Sequence, residues 1–249
     1  MQRTDDIRIF NSLEEFEQKS AEEIVHIMQA AIHDRGVCHI VLSGGETPKG
    51  IYRRLGSDSL KHLVDWSRVI VFFCDERCVS PDDPQSNYGM VRRELTSHLD
   101  MPTENIHRIH AESDPEEGAN AYEELLRTVF NPGQRRFDVI LLGIGNDGHT
   151  ASLFPSTDVL GEENRWARAV HVPRLNGWRV TLTFPALNSG REVLILASGE
   201  SKAPMIERAL TAQTPTKEVP VTLVQPSEGS LRWRLDRQAA SKLGPLKSP

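Results

Sequence analysis

Short apolar runs alternate with stretches of helical periodicity along most of the chain, separated by polar segments rich in glycine and proline. Residues 14–36, EEFEQKSAEEIVHIMQAAIHDRG, carry apolar side chains at helical spacing and end on Gly36, which predicts a helix. VCHIVL (37–42), RVIVFF (68–73) and FDVILLGIG (137–145) are brief apolar runs of the kind that fill buried strands. Helices are expected at KGIYRRL, at YGMVRRELTSHL and over 116–130. Beyond residue 155, RVTLTF (179–184) alternates with period two and EVLILAS (192–198) is almost wholly apolar, so both predict strands. KAPMIERAL then reads as a helix and VPVTLVQ (219–225) as a last strand. LRWRLDRQAASKL (231–243) is expected to be a final helix, or a strand followed by one. The alternation predicts an α/β layer structure, a mostly parallel sheet flanked by helices in a modified Rossmann-like arrangement. No repeat, low-complexity linker or composition break divides the chain, so residues 1–249 are expected to form a single domain.

In open parallel sheets, ligands bind outside the carboxyl ends of the strands. Four polar segments begin at such ends: Ser43-Gly44-Gly45, Asp75-Glu76-Arg77, Gly143 to His149, and Gly199 to Lys202. They are expected to line one crevice. In SGGETPKGIYRRL, the glycines permit a tight turn and a close approach to a ligand, with Thr47 predicted as the helix N-cap and Pro48 as its first residue. A helix start of this kind suits a phosphate, although the nucleotide-binding pattern G-x-x-x-x-G-K-[ST] is absent. Lys202 opens a helix, where a cation is disfavoured unless an anion binds beside it. Arg77 and Arg179 lie at strand ends on the same rim. Each feature also has a plainer reading: a tight capped connection for the turn, a solvated surface charge for each cation.

Gly143-x-Gly145-x-x-Gly148 has the spacing of a dinucleotide-binding turn. That fold needs a long helix from the third glycine and an acidic residue after the next strand, about 20 positions on. Pro155 cuts the helix short, and Glu162 and Glu163 follow no apolar strand. The glycines are therefore expected to bring the backbone of Gly145 and Gly148 close to a small ligand and to present Asp147 and His149. Imidazole is the side chain best matched to proton transfer near neutral pH, and a carboxylate two positions away can orient it. The alternative is a pair that merely caps a turn and a short helix.

Composition narrows the partners. A net charge of −6 gives no basic footprint for nucleic acid, so an anionic ligand must be attracted locally, by specific cations and helix starts. No run approaches the roughly 18 apolar residues of a membrane span, and the first ten residues do not resemble a secretory signal. The three cysteines, Cys38, Cys74 and Cys78, argue against a disulfide framework and for the cytoplasm. Cys74 and Cys78 lack a second ligand pair for zinc, and no G-x-S-x-G supports a serine nucleophile.

LSGGETP, DERCVSPDDPQSNYGMVRREL and FDVILLGIGNDGHTASLFP closely resemble the signature segments of the 6-phosphogluconolactonases, within the glucosamine-6-phosphate isomerase/6-phosphogluconolactonase family. RVTLTFPALN, EVLILASGESKAPMIERAL and PVTLVQPSEGSLRWRLDRQAA are similar to its later segments in the same order, so the resemblance covers nearly the whole chain. The related glucosamine-6-phosphate deaminases typically carry D-E-Y where this chain has Asp75-Glu76-Arg77, and I-A-F-N-E-P after D-G-H where it has Thr150 to Pro155. The resemblance implies hydrolysis of 6-phospho-D-glucono-1,5-lactone, no metal and no organic cofactor, and a monomer or homodimer. It implies His149 as acid/base with Asp147 beside it. Ser43, Gly44, Gly45, Arg77, Arg179 and Lys202 would surround the phosphate and sugar chain. One departure is HVPRLNGW (171–178), where many members have S-P-K-P-P-P, so a different loop path is expected beside Arg179.

Overall fold

The computed structural model describes residues 6–130 and 136–244. The chain runs β1 (Asp6–Phe10), α1 (Leu13–Arg35), β2 (Cys38–Leu42), α2 (Thr47–Leu55), β3 (Val69–Phe73), β4 (Asp75–Arg77), α3 (Asn87–Glu94) and α4 (Pro115–Val129). It continues through β5 (Val139–Leu142), β6 (Ala167–Val172), β7 (Gly177–Leu182), α5 (Phe184–Leu187), β8 (Glu192–Ala197), α6 (Ala203–Thr211) and β9 (Ser230–Asp236). The ends of α1 illustrate the local logic. Ser12 accepts the Glu15 N–H, and Gly36 takes the left-handed conformation at φ 80° while donating to Ile32 O. Between those caps Phe16, Ile24, Val25 and Met28 form one buried face.

Six strands form a parallel sheet in the order β1-β9-β8-β5-β2-β3. Every residue of β5 is buried, as expected for a parallel strand covered on both faces. From β2 the chain moves outward to β3, then returns to place β5 on the other side of β2. That reversal opens a crevice at the carboxyl ends of β2 and β5. The buried apolar side chains form one cluster that joins the parallel sheet to the rest of the chain.

Several sequence expectations change. Of RVTLTF, residues 179–182 do form a strand, but within a separate antiparallel sheet of order β4-β7-β6, and Phe184 already begins α5. β1, β4 and β6 were not foreseen. VPVTLVQ is not a strand: Pro220–Leu223 is a 3-10 turn, Pro220 has no N–H for a sheet ladder, and Val221 N donates instead to Gly148 O at 2.9 Å. The segment supports the loop after β5, and β9 takes the place beside β8. Residues 231–236 supply that strand, followed by turns rather than a helix. The helix after Ser86 ends at Glu94, and a 3-10 turn over Thr96–His98 replaces its last part. Thr47 is the first residue of α2, not its cap; Glu46 holds the cap position and makes no side-chain cap bond.

Two buried tyrosines pin the strand ends that matter. The Tyr52 hydroxyl, on α2, donates to Ser43 O at 2.8 Å and accepts from Ser43 N at 3.0 Å. The Tyr122 hydroxyl, on α4, does the same for Phe73, donating to O at 3.1 Å and accepting from N at 2.9 Å. Each helix thereby fixes the backbone where a parallel strand ends. Burial pushes both phenol pKa values up, so both keep the proton they donate.

Candidate active site

A cleft sits at the β2/β5 reversal, and all four polar segments singled out in the sequence reach it. Its walls include Ser43, Gly44, Gly45 and Thr47, Asp75 and Arg77, Gly143, Gly145 and His149, and Lys202. Asp147, Gly148 and Arg179 do not line it. Gly45 has φ 94°, a conformation glycine adopts without strain. At Gly44 the requirement is space, because a Cβ there would lie 1.7 Å from Asn87 Oδ1. Among the described residues no side chain caps the start of α2, which leaves that end of the helix suited to an anion. Glu46 does not oppose this, since its exposed carboxylate turns to Lys49 Nζ at 2.6 Å.

The loop after β5 folds on itself. Gly145 N donates to His149 O at 2.8 Å, Gly148 N donates to Gly145 O at 3.0 Å, and Thr150 Oγ1 donates to Gly143 O at 2.8 Å. Gly148, at φ 83°, faces away from the cleft and packs on Val219 and Met205. Gly145 lies beneath the Asp147 and His149 side chains: a Cβ there would sit 2.0 Å from His149 Nδ1 and 2.6 Å from Asp147 Oδ1. His149 Nδ1 and Asp147 Oδ1 are 2.5 Å apart, and the ring rests on Phe154 with centroids 4.0 Å apart. Burial pushes the Asp147 carboxyl pKa up, but the His149 hydrogen bond and charge and the Arg174 guanidinium outweigh it and hold the group at about 2. Asp147 is thus an ionised acceptor. The proton of a neutral His149 belongs on Nδ1, which leaves the Nε2 lone pair available.

Of the cations, Lys202 and Arg77 line the cleft. Lys202 is half-buried just before α6, and burial lowers its pKa against the opposing pull of Asp147. Arg77 donates from Nη1 to Gln85 O. Arg179 stands opposite Arg77 across the β4/β7 pair but folds back on its own hairpin, Nη1 donating to Trp178 O at 2.8 Å. Burial and then the Arg77 charge press its pKa down. Asp75 lines the cleft, yet both of its oxygens serve the scaffold. Oδ2 accepts from Ser152 Oγ at 2.7 Å, and Oδ1 accepts from Asn87 Nδ2 at 3.1 Å and Cys74 Sγ at 3.2 Å.

Asn87 and Arg174 were not singled out in the sequence, and Glu76 was named only as the middle of its polar segment. Glu76 is buried and accepts from the backbone N–H groups of Arg77, Asn87 and Tyr88 and from Ser86 Oγ, which ties β4 to the start of α3. Asn87 lines the cleft, its amide orientation set by two acceptors, Asp75 O at 2.9 Å and Asp75 Oδ1. Arg174, from the hairpin between β6 and β7, pairs through Nη2 with Asp147 Oδ2 and places its guanidinium 4.8 Å from the centre of the Phe154 ring. The spacing S-N at 86–87, a cap before a helix, was a usable signal for Asn87. For Arg174 there was none, because only the hairpin geometry brings it to Asp147. Among the described residues, no group of three His, Cys, Asp or Glu side chains is arranged to hold a metal, and no helix is long and apolar enough to cross a membrane.

Residues 11–233 match the family described as glucosamine-6-phosphate isomerases/6-phosphogluconolactonase. The chain belongs to this family. It is 40% identical over 220 residues to a 6-phosphogluconolactonase of Synechocystis, covering 86% of this chain and 88% of that one. Among solved structures, the 6-phosphogluconolactonase of Trypanosoma brucei superposes with a TM-score of 0.86 at 28% identity, covering 97% of this chain and 99% of the other. A monomeric glucosamine-6-phosphate deaminase also shares the fold, with a TM-score of 0.81 at 21% identity over 95% of this chain and 99% of the other. The family architecture therefore carries more than one activity, and the side chains in the cleft must separate them.

Proposed function

We propose that this chain hydrolyses 6-phospho-D-glucono-1,5-lactone to 6-phosphogluconate, with His149 as general acid/base and a phosphate-anchoring site beside it. The observation that carries the reading is the Asp147–His149 pair at 2.5 Å, set at the wall of a cleft whose opposite parts are a glycine turn, an uncapped helix start and two cations. The relatives named 6-phosphogluconolactonase support the choice of substrate.

A lactone is an activated ester, so no covalent nucleophile is needed. Neutral His149, its proton held on Nδ1 by Asp147, accepts a proton at Nε2 from a water attacking the C1 carbonyl. Ionised Asp147 stabilises the imidazolium, which then protonates the ring oxygen as it leaves. Backbone N–H groups and a neighbouring cation hold the developing oxyanion, usually a large contribution in acyl transfer. The phosphate sits at the Ser43–Thr47 turn with Lys202 and Arg77, and this anchor holds the carbonyl in reach of the base. The free thiols of Cys38, Cys74 and Cys78 fit a reducing cytoplasm.

The test is an assay on freshly made lactone, read as acid release or as 6-phosphogluconate, beside a parallel incubation with glucosamine 6-phosphate read as ammonia. Lactone turnover without ammonia is expected. Ammonia release would give the deaminase reading instead, and no turnover of either would reduce the protein to a sugar-phosphate binder.

A further inference from the structure

We propose that Arg174 is a positioning residue for the Asp147–His149 pair: its guanidinium holds the outer oxygen of Asp147, so that the inner oxygen stays on the imidazole. The inference rests on the proposed role of His149. Asp147 Oδ1 serves His149 twice, at Nδ1 (2.5 Å) and at the backbone N–H (3.3 Å). Oδ2 is buried without a hydrogen-bond partner of ordinary geometry, and Arg174 Nη2 is its ion-pair partner among the described residues. Lys202 faces the same carboxylate from the start of α6 without forming an ion pair with it.

Arg174 is tied to the histidine as well as to the aspartate. Its guanidinium carbon lies 4.8 Å from the centre of the Phe154 ring, and that ring stands 4.0 Å from the imidazole at 32°. A planar guanidinium can stack on an aromatic face and meet a carboxylate at once, which a lysine ammonium cannot reproduce. The backbone that carries it is a tight connection: Pro173–Leu175 is a single turn closed by Asn176 in the left-handed conformation (φ 44°), between paired Val172 and Gly177. The hairpin of the antiparallel sheet thus reaches the loop after β5 and, on this proposal, fixes the orientation of the Asp147–His149 pair.

Without the guanidinium, Asp147 Oδ2 is a buried anionic oxygen with no donor. The carboxylate then turns to find one, Oδ1 leaves Nδ1, and the neutral ring is free to carry its proton on either nitrogen. The fraction with an available Nε2 lone pair falls. Arg174 is not among the residues that line the cleft, so substrate affinity is expected to change little.

The experiment compares Arg174→Gln and Arg174→Lys with the native chain, using melting temperature to confirm that all are folded. For Arg174→Gln, kcat should fall about ten- to a hundredfold, the scale known for removing an outer partner that orients a histidine, with KM within about twofold. In ¹⁵N spectra of the neutral His149 ring, the native Nδ1–H form should give way to a mixture of tautomers. Arg174→Lys should recover part of kcat and part of the Nδ1–H signal. Native kcat in Arg174→Gln would overturn the proposal, as would a lower kcat with the native tautomer retained. A rise in KM at unchanged kcat would also overturn it, making Arg174 a substrate-binding cation. The ring spectra do not depend on turnover. If the native chain fails to hydrolyse the lactone while Arg174→Gln still scrambles the tautomer, the proposed activity falls and the positioning role stands.

Discussion

The turn after β2 and the loop after β5 occupy equivalent places on either side of the sheet reversal, and both are built on glycines. They are held in different ways. The Ser43–Thr47 turn is clamped from outside, by Tyr52 at both backbone groups of Ser43 and by the close fit of Gly44 on Asn87. The loop from Gly143 to Thr150 is closed by its own backbone and by Val221 from beneath. The first offers only backbone and small side chains to the cleft, apart from the outward-turned Glu46. The second supplies the imidazole of His149. Topology sets where a ligand can sit, and on the proposed function the wall that carries the titratable side chain does the chemistry and the other does the binding.

The sharpest way to break that division is His149→Ala. Removal of a single general base should lower kcat by about 10²–10⁴-fold with KM nearly unchanged. A loss below about threefold in steady-state assays would take His149 out of the chemical step.

The two glycines give a matched pair. Alanine at 145 would put its Cβ 2.0 Å from His149 Nδ1, so the pair itself must move, and a displacement of about 1 Å can cost on the order of a hundredfold in rate. Gly145→Ala should therefore act on kcat. Alanine at 44 would collide with Asn87 Oδ1 at 1.7 Å, and the amide cannot retreat without losing Asp75. Gly44→Ala should act on KM and lower stability by about 1–3 kcal/mol, the usual range for overpacking. If both variants changed the same kinetic constant, the two walls would not have separate roles.

Binding should answer mainly to Lys202. A charged hydrogen bond to phosphate contributes about 1.5–3 kcal/mol, so Lys202→Ala should raise KM roughly ten- to a hundredfold with a smaller change in kcat. Arg179→Ala, by contrast, should leave KM close to native, because its guanidinium is folded onto Trp178 O outside the cleft. Steady-state kinetics on the phosphorylated lactone distinguish the two residues directly.

Much of this was readable in the sequence, for identifiable reasons. β2, β3, β5 and β8 are buried runs with clear period or length, and loops at parallel strand ends are polar, so the residue pattern alone marks the four cleft segments. What escaped was whatever depended on partners distant in sequence. VPVTLVQ has strand-like residues, but the backbone of Gly148 claims its N–H. β1 reads as a polar, exposed edge, with only Phe10 buried. Arg179 and Arg174 lie five residues apart on one hairpin, and nothing in their spacing says which of them reaches Asp147. The hairpin path decides it, sending Arg174 to Asp147 and folding Arg179 back.

The mildest test separates the clamp on the binding wall from an ordinary structural bond. Tyr52→Phe and Tyr122→Phe each remove one buried hydroxyl that serves an N–H and a C=O at the end of a parallel strand. Leaving such groups without a partner costs about 1–3 kcal/mol, so both variants should unfold at lower denaturant concentration by similar amounts. Their kinetics should differ. Ser43 lines the cleft and begins the turn proposed to bind the anion, whereas Phe73 does not line the cleft. Tyr52→Phe should therefore raise KM as well as lower stability, and Tyr122→Phe should lower stability alone. Equal KM values in the two variants would mean that the Ser43 turn keeps its shape without Tyr52, and that the tight fit of Gly44 on Asn87 is enough to hold the binding wall.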